Sequence, residues 1–258
     1  MKKLLLPLLL FVSVWSIHID NIDDLDAHKS MSYKEELNAV GIVFCTDQYG
    51  TGTLIHPNVV LTAAHVVEGK SEITFYIYLN EEGIKAIKGK AVIHPGYQKI
   101  IKNPEEGISE ENMPYDVALV FLEEAVNGVD YPTLSSSAAP IPSDYFAVGY
   151  GQWNGDLPEN VLERKLSGFS FSTNLSEDES LIFAKCANVM DINLFGTGTP
   201  GDSGGPLMQI KEEKVIFGIL SCLLNDTDTE GNLNPTFCIY SSVHSYLDWI
   251  IDTMEKNL

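Results

Sequence analysis

Positive charge is what this sequence has least of. Lys and Arg number 16 against 36 Asp and Glu in 258 residues, a formal net charge of -20. A surface so negative repels a phosphate backbone and an anionic membrane face, so no nucleic-acid partner is expected. Cysteine is also sparse. The four present (Cys45, Cys186, Cys222, Cys238) include no C-x-x-C pair, which argues against a zinc centre. No H-E-x-x-H occurs, and His18, His28, His56, His94 and His244 are scattered. Acidic clusters at 176–179 and 225–230 read as solvated loops, because carboxylates alone do not define a calcium site. Neither a metal nor a cofactor is expected.

Long apolar runs are missing beyond the first residues. Lys2 and Lys3 precede a stretch, Leu4 to Trp15, that is apolar apart from Pro7 and Ser13. It is too short to cross a bilayer and reads as a secretory signal peptide over 1–16, cut after Ser16. The mature chain is therefore expected to be secreted (extracellular or periplasmic), with no membrane association after signal removal. Residues 17–38 are polar and acidic, an arm or propeptide. If all four cysteines are bridged, three pairings exist. Cys222 and Cys238 bracket a turn-rich stretch between two strand-like runs and are the pair to join first; Cys45 with Cys186 does not follow from sequence. Asn174 and Asn225 lie in N-x-[ST] sequons.

What is present from Ala39 onward is a series of short strand patterns. Residues 72–79 alternate, with Ile73, Phe75, Ile77 and Leu79 on one face. Further strands are predicted at 39–44, 58–62, 116–122, 144–149, 164–171, 180–185, 214–223 and 236–243, separated by Gly, Pro, Asn and Asp clusters. Many short strands without long helical patterns between them predict an all-β barrel or sandwich. One helix is predicted at the end. Ser245 suits its N-cap, and Leu247, Ile250, Ile251, Met254 and Leu258 recur at helical spacing. Residues 126–143, rich in Pro, Ser and Ala, suit a connector between two halves.

Three segments carry chemistry. In Gly201-Asp202-Ser203-Gly204-Gly205-Pro206 a serine lies between glycines, where a tight turn can expose its hydroxyl and bring backbone N–H groups of Gly201 and Ser203 together as oxyanion donors. In Leu61-Thr62-Ala63-Ala64-His65 an imidazole ends an apolar strand among small residues. Alone, such a histidine would more often be structural. Asp116 opens the apolar run Val117-Ala118-Leu119-Val120, and a buried carboxylate needs a partner. Together they form a set: a hydroxyl needs an adjacent base, and the base needs a carboxylate to fix its tautomer.

The segments T-A-A-H, D-V-A-L and G-D-S-G-G-P, in that order, closely resemble the chymotrypsin/trypsin-like serine proteases. Weaker likenesses run through Tyr49 to Ile55, Val148 to Gly151, and Tyr240 to Val243 with Trp249-Ile250. The resemblance implies two six-stranded antiparallel β-barrels, at 39–125 and 144–244, with a C-terminal α-helix over 245–258. It implies a serine endopeptidase with Ser203 as nucleophile, His65 as base and Asp116 as orienting acid. Protein or peptide substrates follow, and protein inhibitors are compatible partners. Ser221 matches the residue that supports the carboxylate.

Departures from the family pattern matter too. Val66 and Gly50 stand where the family has a disulfide beside its base, and Thr199 where it has one beside its nucleophile. No Ile-Val-Gly-Gly-like start exists between residues 17 and 40, so the usual amine partner of Asp202 is not identifiable. Thr197 occupies the place of the acidic residue that selects Lys or Arg, and Leu223 that of a pocket glycine. With Ser221 and Cys238 as further pocket residues, cleavage after small or medium apolar residues is expected. The competing readings are a catalytically silent homologue that binds partners, and an esterase-like acyl hydrolase. The α/β-hydrolase version is disfavoured, because its order is Ser, Asp, His.

Overall fold

The computed structural model describes residues 37–79, 83–98, 115–140, 145–151, 165–169, 174–184, 201–227 and 233–258, without the side chains of 165–174 and 223–237. The predicted signal peptide, most of the acidic arm, Cys186 and Thr197 lie outside the described residues.

Strand β1 (Val40–Cys45) turns through Thr46-Asp47 into β2 (Gln48–His56), with Cys45 opposite Gln48. A two-residue connection of this kind fixes hairpin register. Strands β3 (Val59–Thr62), β4 (Ile73–Leu79), β5 (Gly83–Ile93) and β6 (Ala118–Leu122) complete a closed barrel in the order β1-β2-β3-β6-β5-β4. Closure leaves no free strand edge, and alternate side chains fill the interior. Ile73, Phe75 and Ile77 point inward as predicted, whereas Leu79, at the strand end, is half-buried. Strand β5 was not anticipated. Lys85, Lys88 and Lys90 give it a polar look, and it exists because β4 and β6 pair with its two edges.

The second half departs from the expected six-stranded barrel. Strands β7 (Thr133–Leu134), β8 (Tyr145–Gly149), β9 (Lys165–Phe169), β10 (Asn174–Leu175), β11 (Leu181–Ala184), β12 (Pro206–Ile210), β13 (Lys214–Thr227) and β14 (Leu233–Ser242) form a sheet ordered β10-β11-β14-β13-β12-β8-β9. Among the described residues it does not close, because β9 pairs only with β8 and β10 only with β11. Nor is it wholly antiparallel. The connector lays β7 parallel to β13, with Thr133 beside Val215.

The Cys222–Cys238 bridge is corrected by a β-bulge. Up to Leu220, opposite Tyr240, the β13–β14 register would place Cys222 against Cys238. Ser221 is an extra residue, so Cys222 falls opposite Ile239 and Leu223 opposite Cys238. A one-residue slip moves a side chain to the other sheet face. Cys222 accordingly packs with Leu181 and Ile239, while Cys238 joins Tyr145, Phe217 and Tyr240. The two sulfurs are on opposite sides and are not bridged.

One turn of helix, α1 (Ala64–Val67), follows β3, and α2 (Val243–Asn257) ends the chain. Helix α2 starts after Ser242, not Ser245, whose hydroxyl donates to the Glu179 carbonyl instead. Its buried stripe is Val243, Tyr246, Ile250 and Thr253, leaving Ile251 and Leu258 exposed. Val243, Tyr246 and Ile250 pack into the same apolar cluster as barrel residues Val117 and Leu119, which ties the chain's end to its first half. Among the described residues no helix is long and apolar enough to cross a membrane.

Candidate active site

Asp116 stands two residues before β6, and its side chain is 1% exposed. Three donors converge on the carboxylate. His65 Nδ1 at 2.7 Å and Ser221 Oγ at 2.6 Å reach Oδ2, and the His65 backbone N–H at 2.9 Å reaches Oδ1. Ser241 Oγ donates to the Asp116 carbonyl at 3.3 Å. Burial alone would push this carboxyl up. The charge and hydrogen bonds of His65, with the Ser221 hydroxyl, outweigh it and hold Asp116 below the usual carboxylate range. An ionised carboxylate only accepts, so Nδ1 carries the ring proton and Nε2 is left as the basic nitrogen. The bulge at Ser221 is what aims its hydroxyl at Asp116.

The residue before Asp116 is under backbone strain. Tyr115 has φ of 73°, a left-handed conformation that is rare for a bulky side chain. Its N–H donates to the Tyr246 hydroxyl at 3.0 Å, and its ring stacks on His94 with centroids 4.9 Å apart. Gly96 makes room, since a Cβ there would meet the Tyr115 ring at 2.8 Å. Such a conformation costs about 1–3 kcal/mol and persists only where its surroundings impose it.

His65 rides on α1 between buried Ala64 and Val66. Where the resemblance would place a disulfide, Val66 fills the space above Gly50: a Cβ at Gly50 would lie 2.7 Å from Val66 Cγ2. Gln48 Nε2 donates to the Val66 carbonyl at 2.7 Å and to the His65 carbonyl at 3.2 Å. Cys45 Sγ also reaches the Val66 carbonyl, at 3.4 Å. Burial pushes the Cys45 thiol up, which keeps it a protonated donor. Packing and side-chain hydrogen bonds hold the histidine segment here.

The serine segment forms a turn between the two halves. Gly201 (φ 99°) and Gly204 (φ 84°) occupy left-handed conformations, and a Cβ on Gly204 would lie 2.2 Å from Thr62 Oγ1. Only glycine fits both demands. Gly205 N–H donates to the Asp202 carbonyl, and Gly204 N–H to the Leu220 carbonyl, each at 2.8 Å. The half-buried Ser203 is anchored to the first barrel, its carbonyl accepting the Thr51 N–H at 2.8 Å. Buried Asp202, whose partner sequence could not name, accepts the Gly151 N–H at 2.6 Å. Gly149 must lack a side chain, because a Cβ there would sit 2.2 Å from Asp202 Oδ1.

Of the predicted pocket residues, Ser221 is bound to Asp116 and Cys238 is buried in the second apolar cluster. Leu223 pairs with Cys238 along the sheet, its side chain lying outside the described residues, as Thr197 does altogether. Gln48 and Tyr115 were not singled out from sequence, and Thr51 and Ser241 entered only within stretches of family likeness, with no role assigned. Each acts on a partner distant along the chain, which leaves no local pattern.

A family model described as Trypsin matches residues 30–250. The complement C1s subcomponent of Rattus norvegicus is 28% identical over 247 residues, covering 83% of this chain and 33% of that protein. The chain therefore spans about a third of that relative's length. The chymotrypsin-like elastase family member 1 of Felis catus is 26% identical over 217 residues, covering 80% of this chain and 79% of that protein. Among solved structures, neuropsin, a serine protease expressed in the limbic system of mouse brain, superposes with a TM-score of 0.62 at 20% identity. That match covers 85% of this chain and 96% of the other, and it concerns the fold alone.

Proposed function

The chain belongs to the trypsin family, and from that premise we propose that it is a secreted serine endopeptidase. Ser203 is the nucleophile, His65 the general base and Asp116 the residue that orients it. The observation that carries this reading is the carboxylate with three converging donors, two of them from His65. That network commits the ring proton to Nδ1 and frees Nε2 to act as base.

Ser203 Oγ attacks the scissile carbonyl carbon while Nε2 of His65 takes its proton. The N–H groups of Gly201 and Ser203 hold the resulting oxyanion. As the C–N bond breaks, His65 returns the proton to the leaving amine, and Asp116 offsets the transient imidazolium charge. Water repeats the sequence on the acyl-enzyme and releases the acid. Thr197 in place of an acidic residue and the bulk of Leu223 support cleavage after small or medium apolar residues. Rapid, Ser203-dependent cleavage after arginine by pure enzyme would overturn that preference.

The test is labelling of the purified protein by a fluorophosphonate probe beside Ser203→Ala. Labelling of the wild type alone is expected. If neither labels, before or after limited proteolysis of residues 17–38, the endopeptidase reading fails and a partner-binding homologue takes its place.

A further inference from the structure

The Thr51 hydroxyl has no part in the chemistry above, yet both of its capacities are committed. Thr51 is fully buried on β2. Its Oγ1 donates to the Gly201 carbonyl at 2.8 Å and accepts the Tyr150 N–H at 3.0 Å. A hydroxyl has one proton to give, so this pair of bonds fixes its direction. Its backbone N–H holds the Ser203 carbonyl at 2.8 Å, and its carbonyl accepts the Thr62 hydroxyl at 2.8 Å. Thr62 lies three residues before His65. Gly151, next to Tyr150, holds the Asp202 carboxylate. Thr51 therefore meets the strand leading to the base, the turn carrying the nucleophile, and the segment holding Asp202.

We propose that the Thr51 hydroxyl is a positioning residue for the oxyanion loop, which it serves by pinning the Gly201 carbonyl. Gly201 has φ of 99° and no side chain to restrain it. Glycine passes easily between conformations, so this peptide needs an outside anchor if the N–H groups of Gly201 and Ser203 are to converge on one point. The Thr51 backbone bond to Ser203 fixes only the far side of the turn. The hydroxyl fixes the near side, and through Tyr150 it couples the loop to the segment that holds Asp202. This role rests on the endopeptidase reading for its catalytic consequence, though the anchoring itself does not.

Thr51→Val keeps the shape and the backbone bond while deleting the hydroxyl, and Thr51→Ser restores it. Losing an oxyanion donor outright costs roughly 10²–10³ in turnover. A residue acting through the loop should cost less, about 10- to 100-fold in kcat with KM unchanged. A peptide aldehyde, which places an anionic oxygen in the hole, should bind Thr51→Val more weakly by a similar factor. Thr51→Ser should return kcat to within about threefold of wild type. Amide hydrogen exchange over residues 201–207 should speed up in Thr51→Val and recover in Thr51→Ser. Wild-type kcat in Thr51→Val, a change confined to KM, or failure of Thr51→Ser to rescue would overturn the proposal. If the wild type neither labels nor turns over, the endopeptidase reading falls. Exchange still decides the anchor: unchanged rates in Thr51→Val refute it, and faster rates rescued by serine uphold it.

Discussion

Asp116→Asn should silence the site while leaving the fold standing, and the hydrogen-bond directions say why. The carboxylate takes His65 N–H on Oδ1, and His65 Nδ1 and Ser221 Oγ on Oδ2. An amide of the same shape replaces one oxygen with an NH2 group. Placed at Oδ1, that group faces a backbone N–H, which cannot reverse, and a buried donor left unpaired costs about 1–3 kcal/mol. Placed at Oδ2, it faces two groups that can reverse. Ser221 can accept, and the imidazole can move its proton from Nδ1 to Nε2. The network therefore relaxes by the second route, and stability changes by no more than about 1–2 kcal/mol. That limits the melting shift to about 8 °C at most, at roughly 2–4 °C per kcal/mol for a chain of this size. The cost falls on Nε2, which now carries the proton and is no longer a base. Turnover should drop about 10⁴-fold, a magnitude carried over from the same tautomer change in a Ser-His-Asp protease. The assay is kcat/KM on a peptide ester together with a thermal melt. Activity within tenfold of wild type in a folded variant would refute the tautomer argument.

Three further outcomes follow from the same contacts. Gly204→Ala must place a Cβ 2.2 Å from Thr62 Oγ1 and 2.3 Å from the Thr51 carbonyl at φ of 84°; a melt lowered by several degrees or loss of soluble protein is expected, and a wild-type melt would contradict it. The pair Gly50→Cys and Val66→Cys should form a disulfide on oxidation, because the Gly50 Cβ position lies 2.7 Å from a Val66 methyl carbon. Closing a loop of about 15 residues is worth about 3 kcal/mol, so the oxidised form should melt higher than the reduced one; equal melts would count against the packing described. Asp116 titrates lower folded than its ordinary value of 3.8, so its stabilisation is whole above about pH 5 and lost as pH falls through its native value. The wild-type melting temperature should therefore drop more steeply between pH 5 and pH 2 than that of Asp116→Asn, and parallel curves would refute the assignment.

Several elements were legible because their cause is local. The alternation in 72–79 predicted β4 and its inward residues, since a half-buried strand repeats every second residue. The G-D-S-G-G-P segment predicted a tight turn around the serine, and the structure adds that Gly201 and Gly204 take positive φ there. Strand β5 was hidden by its lysines, and the buried stripe of α2 was misplaced because exposed Ile251 and Leu258 matched helical spacing equally well.

The sequence by itself determined which groups are available: His65, Asp116 and Ser203 in order, a chain short of positive charge, and valine and glycine at the positions of a family disulfide. Tertiary structure decided which atoms meet. The Thr51 hydroxyl binds a carbonyl 150 residues away, and Ser221 an aspartate 105 residues away. Sequence periodicity encodes which face a side chain takes, but not the register between distant strands. One bulge shows the difference. A single unpaired residue in β13 turned Ser221 toward Asp116 and carried Cys222 to the sheet face opposite Cys238, and no pattern within either strand records that slip.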